Sequence, residues 1–128
     1  MTISSATVNF ANNRYTPQQE EEMVKGVLSW ARTQSYAIGG CARVSVTVSD
    51  ITATVFRTCG PPLADPKETQ SLTVNNLRLS PFTTGNPLIF YPSGGTRLAN
   101  SARLRVDSPS GVSYDLVVYP LIGTIKKE

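Results

Sequence analysis

The hydrophobic pattern of this sequence changes its period once, at the glycine pair Gly39-Gly40. Before the pair, apolar residues recur three and four positions apart, which indicates one face of an α-helix. After the pair, apolar and polar residues alternate, which indicates half-buried β-strands. One helix followed by strands favours an α+β fold with antiparallel sheets over alternating βαβ units, and a chain of 128 residues suits one domain.

The helix has a marked beginning and an apolar face. Thr16 stands where an N-cap is expected, Pro17 takes the first helical position, and Gln19 completes a capping-box pattern. We therefore predict a helix over 16–38 that packs on antiparallel sheets. Its packing face comprises Val24, Val27, Leu28, Ala31 and Ile38. Trp30 flanks this face, where it either covers the sheet as part of the core or, if exposed, anchors a partner protein.

About seven short strands are predicted in the β region, 41–128. Alternating residues at 44–48 and 51–55 predict a hairpin that turns at Ser49-Asp50, with Val44 opposite Val55. Glycine, proline and polar residues predict a loop over 60–70. The remaining strands are predicted at 72–79, 88–91, 102–107, 114–119 and 122–126.

The two cysteines, Cys41 and Cys59, fall at the ends of the predicted hairpin. Its register sets Cys41 opposite Thr58, so we expect a bulge or an open strand end near Cys59. Cysteines placed in this way can form a structural disulfide, and two buried thiols are the alternative. A disulfide closing this separation would stabilise the fold by about 3 kcal/mol and would require an oxidising compartment.

The composition argues against catalysis. The sequence contains no histidine, which excludes Ser-His-Asp and Cys-His sites as well as histidine-metal sites. Two cysteines are too few for a structural zinc site, and they lack the C-x-x-C spacing of a redox pair. We therefore predict a protein that is not an enzyme and that uses no cofactor or metal.

The net charge of +3 is mildly basic, but the basic residues are scattered along the chain. A nucleic-acid interface would concentrate them on one surface, because several phosphates must be neutralised together. The candidates for an anion-binding or DNA-binding surface are Arg97, Arg103, Arg105, Lys126 and Lys127. Solvated charges at strand ends are the favoured interpretation of the same residues.

Four segments of the chain together resemble the globular domain of the GspH/FimT family of minor pilins and pseudopilins. Helix residues 27–38, with Ala31-Arg32 followed by Ala37-Ile38, resemble the beginning of that domain. The segment 89–95, Ile-Phe-Tyr-Pro-Ser-Gly-Gly, resembles the family's strand and turn. Leu104-Arg105-Val106 and the segment 116–125 resemble its final strands.

The resemblance implies a location and partners. Family members are held in the inner membrane by a hydrophobic N-terminal helix, which this chain lacks, and they later pack with other pilin subunits in a filament. Residues 1–15 are then expected to be a lead-in that remains after removal of this anchor, with 16–128 as the pilin-like domain. The resemblance also implies a periplasmic domain, which agrees with the predicted disulfide.

The expected function is therefore that of a non-enzymatic structural subunit of a type IV pilus or a type II secretion pseudopilus. The alternative is a DNA-binding minor pilin, since FimT-type members that take up DNA carry a C-terminal Gly-Arg-x-Arg pattern. Here the corresponding run, Gly123-Thr124-Ile125-Lys126, keeps the glycine, loses the first arginine and replaces the second by lysine, which lacks the bidentate fork of arginine. A carbohydrate-binding or protein-binding β-sandwich without a filament role is a third possibility.

Overall fold

The computed structural model of the protein describes residues 5–9, 17–60, 62–74, 77–83, 86–109 and 111–127. Within these ranges the chain forms one helix and nine strands. They are β1 (Ser5–Asn9), α1 (Pro17–Ile38), β2 (Cys41–Val46), β3 (Asp50–Thr58), β4 (Ala64–Thr73), β5 (Arg78–Ser80), β6 (Leu88–Phe90), β7 (Ala102–Asp107), β8 (Ser113–Val118) and β9 (Ile125–Lys127).

The strands form two sheets, and the protein has an α+β fold. In the first sheet, β4, β3, β2 and β6 are antiparallel neighbours in that order, and β1 joins the outer edge of β4 in parallel. The second sheet is antiparallel, with the order β5-β7-β8-β9. The prediction of about seven strands was too low, because the two antiparallel sheets contain four strands each and β1 is additional.

Helix α1 ends where the sequence places the glycine pair. Gly39 has a φ of 67°, a left-handed conformation that glycine adopts without strain, and the amide of Gly40 donates to the carbonyl of Ser35 at 3.1 Å. The helix was predicted over 16–38 and lies at Pro17–Ile38, while the expected N-cap, Thr16, lies outside the described residues. No helix in the described ranges is long and apolar enough to cross a membrane.

The helix and both sheets enclose one hydrophobic core. Val24, Val27, Leu28 and Ala31 of α1 are buried, mainly against β2 and β3. Ile38 and Trp30 are partly buried and pack against the same core. The sheets contribute Ala42, Val44, Val46, Ile51, Ala53, Val55 and Leu72 from the first, and Leu79, Ala102, Leu104, Val106, Tyr114, Leu116 and Val118 from the second.

The register of the β2–β3 hairpin differs from the predicted one by two residues. Val44 lies opposite Ala53 rather than Val55, and Cys41 lies opposite Phe56 rather than Thr58. Val46 is paired with Ile51, so four residues separate the last paired positions, and the hydroxyl of Thr47 accepts the amide of Asp50 at 3.0 Å within this wider turn. A shift of two residues keeps the same side chains on the core face, so the predicted faces are correct.

Strand β4 corrects two predictions about the middle of the chain. Residues 60–70 were predicted to be a loop, but β4 occupies Ala64–Thr73 and pairs with β3. Its side chains are mostly half-buried, and two pairs of hydroxyls join it to β3, Thr54 with Thr69 at 3.2 Å and Thr52 with Ser71 at 3.4 Å. The predicted strand over 72–79 is divided between β4 and β5, which lie in different sheets.

Two smaller findings concern the ends of the chain. Residues 5–9, which fall within the predicted lead-in, form β1 beside β4. The last strand is Ile125–Lys127 rather than 122–126, because the residues from Leu121 to Gly123 make the turn that follows β8.

Candidate interaction surfaces

The C-terminal half of α1, the turn after β6 and the turn between β8 and β9 meet at one end of the protein. The Nε of Arg32 donates to the carbonyl oxygen of Ile122 at 2.9 Å, and the hydroxyl of Ser35 donates to the carbonyl oxygen of Tyr91 at 3.2 Å. The amide of Thr96 donates to the carbonyl oxygen of Pro120 at 2.8 Å. Segments that are far apart in the sequence therefore form one hydrogen-bonded unit.

A surface groove of about 220 Å³ opens beside this junction. It is lined by Arg32, Thr33, Tyr36, Ser93 and Gly94. Because the Nε of Arg32 is bound to a carbonyl, the two terminal nitrogens of the planar guanidinium are the donors that remain for a ligand. This groove was not predicted from the sequence, because its residues come from a helix and a turn that are not adjacent in the chain.

The helix and the β8–β9 turn that meet at Arg32 carry exposed apolar side chains. Tyr36 is 70% exposed, Leu121 is 88% exposed and Ile122 is 61% exposed. Large apolar side chains this exposed and this close together are a feature of interaction sites. No interaction role was predicted for Leu121 and Ile122. The signal that could have indicated one is the pair of apolar residues between Pro120 and Gly123.

The predicted basic residues do not form one surface. Arg103, Arg105 and Lys126 share the outer face of the second sheet, because Arg103 and Lys126 both pair with Val117. Lys127 lies on the opposite face, where its Nζ is 3.3 Å from Glu21 and 5.3 Å from the ring centre of Tyr114.

Arg97, the fifth candidate, belongs to a different part of the surface. Its guanidinium lies 4.0 Å from the ring centre of Tyr91, in the segment between β6 and β7. The predicted set is therefore divided among three places.

Acidic residues are interleaved with the arginines on the outer face of the second sheet. Arg103 and Arg105 each lie 3.4 Å from a carboxylate oxygen of Asp115, and Arg105 also lies 3.5 Å from Asp107. The hydroxyl of Ser113, 2.6 Å from Asp107, holds the pKa of that carboxyl below its usual value, and Arg105 acts in the same direction. This face carries alternating charges, which a polyanion would have to displace.

The predicted disulfide is present between Cys41 and Cys59, with the two α-carbons 5.3 Å apart. Cys41 is buried in β2 opposite Phe56, and Cys59 follows the last residue of β3. The guanidinium of Arg43 covers the ring of Phe56 at 5.0 Å on the same side of the sheet. The disulfide is compatible with an extracytoplasmic location.

The described residues contain no group of three or more histidine, cysteine, aspartate or glutamate side chains that could hold a metal ion. Comparisons of the chain with protein-family models, with curated proteins and with solved structures found no match.

Proposed function

We propose that this chain is a structural subunit of the GspH/FimT type, a minor pilin or pseudopilin. In this role it would assemble into or cap a type IV pilus or a type II secretion pseudopilus, and its partners would be other pilin subunits. It would form no covalent intermediate and would require no cofactor. The proposal implies a periplasmic domain tethered to the inner membrane before assembly by a hydrophobic helix of the family type.

The observation that carries the proposal is the junction at Arg32. Three of the segments that resemble the family, 27–38, 89–95 and 116–125, are widely separated in the sequence, and the bonds from Arg32 to Ile122 and from Ser35 to Tyr91 join these three. A chance likeness of short segments gives no reason for them to be in contact. Their contact supports the interpretation that they form one functional unit.

Two further features support the same proposal. The apolar face of α1 packs on the first sheet, which is the expected arrangement of a helix that holds a globular domain in a filament. The Cys41–Cys59 disulfide suits a domain that works in an oxidising compartment.

Capture of DNA receives less support from the same structure. The two arginines of β7 are paired with Asp115, and Lys126 and Lys127 lie on opposite faces of β9. A contiguous positive surface, which DNA binding needs, is not assembled from these five residues.

The proposal is tested in the host that carries the gene. The gene is deleted, and surface filaments are sheared, counted and probed with an antibody to this chain, while secreted proteins are measured in parallel. We expect the chain in the sheared fraction of the wild type, and we expect fewer filaments or less secretion in the deletion strain, restored by the wild-type gene. A chain that never enters the sheared fraction, together with unchanged filaments and secretion in the deletion strain, would overturn the proposal.

A further inference from the structure

The large apolar side chains that are most exposed among the described residues lie at two opposite ends of the protein. The first end, which we call the arginine end, contains Arg32, Tyr36, Leu121 and Ile122 around the groove described above. The second end contains Val48, which is 54% exposed, and Val112, which is 60% exposed. We call it the aspartate end, because Asp50 follows Val48 by two residues.

The strand pairing shows that Val48 and Val112 belong to the same end. The carbonyl of Val48 accepts the amide of Leu79, at the beginning of β5, and β5 begins opposite Asp107, the last residue of β7. Val112 lies in the turn that follows β7, where its carbonyl accepts the amide of Ser108 at 2.9 Å. Strand β8 runs from this turn to the arginine end, a span of roughly 20 Å for six residues.

The charges at the two ends are complementary. The carboxylate of Asp50 accepts the hydroxyl of Thr73 at 3.0 Å, and its second oxygen lies 3.4 Å from the hydroxyl of Ser49 and 3.5 Å from that of Thr47. No cation among the described residues is paired with it. Nearby, Arg78 lies opposite Asp107 in the register of β5 and β7, and Asp107 is paired with Arg105 at 3.5 Å. At the arginine end, Arg32 binds a carbonyl and no carboxylate among the described residues.

We propose that the arginine end of one copy of this chain docks on the aspartate end of a second copy. Leu121 and Ile122 would pack against Val48 and Val112, and Arg32 would meet Asp50. This inference deepens the proposed function and rests on it. Because the two surfaces differ, the contact does not close on itself after two copies, and it can repeat along a line as a filament requires.

The first test uses variants that block one end each. Leu121→Asp introduces a charge at the arginine end, and Val48→Asp introduces one at the aspartate end, both at exposed positions. Sedimentation equilibrium up to about 1 mM, where contacts of about 4 kcal/mol become detectable, gives the association state.

We expect the average mass of the wild-type chain to rise with concentration beyond that of a dimer. We expect each variant alone to remain monomeric, and we expect an equimolar mixture to form dimers and nothing larger, since the mixture retains one intact pair of ends. A wild-type chain that stays monomeric or stops at dimers would overturn the proposal, as would a mixture that stays monomeric.

The second test exchanges the two charges. Arg32→Asp and Asp50→Arg should each raise the dissociation constant about tenfold, which corresponds to about 1.4 kcal/mol, and the double variant should recover most of the loss. Lys25→Asp is the matched control, because it makes the same change of charge on the same helix two turns earlier and should leave association unchanged. The contact would be contradicted if the dissociation constant of the double variant rose by as much as the two single effects combined. It would also be contradicted if Lys25→Asp raised the dissociation constant as much as Arg32→Asp does.

The outcome is independent of the test of the proposed function. A chain that enters sheared filaments but does not associate in solution would overturn only the end-to-end contact. A chain that associates end to end but is absent from filaments would overturn the proposed function.

Discussion

The carbonyl oxygen of Gly94 occupies the space that a β-carbon on Gly123 would need. Gly123 also has a φ of 69°, so both its conformation and its surroundings favour glycine. This contact holds the turn between β8 and β9 against the turn after β6, next to the bond between Arg32 and Ile122. The arrangement of the arginine end therefore depends on a residue without a side chain.

We expect Gly123→Ala to lower the free energy of unfolding by about 3 kcal/mol, because the substitution adds a steric overlap with backbone to the strain of a positive φ. Gly111→Ala is the matched control, since Gly111 has a φ of 89° but no atom within 4 Å of an added β-carbon. The control should lose only about 1 kcal/mol. Urea unfolding of the two variants measures the difference, and equal losses would contradict the close contact.

The disulfide should make a large contribution to stability. It joins the first residue of β2 to the residue after β3, at a sequence separation of 18, and the loop-entropy model gives about 3 kcal/mol for such a closure. We expect reduction to lower the free energy of unfolding by about this amount, measured in urea with and without dithiothreitol.

A Cys59→Ala variant provides the control for this measurement. It should unfold identically with and without the reductant, because it has no bond to reduce. If the wild-type chain is equally stable in both conditions, the bond does not constrain the unfolded chain as the model requires.

The parts of the fold that were predicted correctly are those where burial follows a simple period. The buried stripe of α1 and the alternation of Val44 and Val46 both report which face meets the core. Strand β4 was missed because only Leu72 among its ten residues is buried, and its pairing with β3 depends on the backbone and on lateral hydroxyl contacts. Hydrophobic periodicity carries no information about such a strand.

The candidate surfaces were less predictable than the fold. Arg103 and Arg105 were recognised as a basic pair, but the position of Asp115 across the hairpin depends on the register of β7 and β8. The groove at Arg32 depends on tertiary contacts between a helix and the turn after β6, and on the bond from Arg32 to a carbonyl 90 positions away, which no local pattern encodes. The alternate positions of Lys126 and Lys127 on β9 follow from strand geometry, but only after the limits of β9 are known.

The buried hydroxyl of Tyr114 should lower the free energy of unfolding slightly, and a substitution can measure this effect. The hydroxyl is buried, and no described residue is within hydrogen-bond distance of it. Removing an unsatisfied buried hydroxyl is neutral or stabilising, so Tyr114→Phe should leave the free energy of unfolding unchanged or raise it by up to about 1 kcal/mol. A loss of more than about 1 kcal/mol in thermal or urea unfolding would show that the hydroxyl has a partner.

Tyr114 should also make the stability of the fold depend on pH in the alkaline range. Burial raises the pKa of Tyr114 above its usual value, and the carboxylates of Glu21 and Glu20 act in the same direction. The folded protein therefore favours the neutral phenol. The contribution of this preference to the free energy of unfolding is fully present below a pH of about 10, and it declines as the pH rises further. Above that pH the wild-type chain should lose stability more steeply than Tyr114→Phe, and parallel curves would contradict the shift.

Lys126 and Lys127 should differ in their contributions to stability, although they are neighbours of the same type. Lys127 is close to the largely buried carboxylate of Glu21 and lies over the ring of Tyr114, whereas Lys126 points to the exposed face. We expect Lys127→Ala to lower the free energy of unfolding by about 1 kcal/mol, a modest value because the lysine is half exposed. Lys126→Ala should change it by less than about 0.5 kcal/mol.

Urea unfolding at low and at high salt tests this difference, because added salt should reduce the ion-pair part of the Lys127 effect and leave Lys126→Ala unchanged. Equal effects of the two substitutions would contradict the assignment of the two side chains to opposite faces.

The same pair of variants bears on DNA binding. Only Lys126 shares a face with Arg103 and Arg105, so any affinity for DNA that depends on that face should fall in Lys126→Ala and persist in Lys127→Ala.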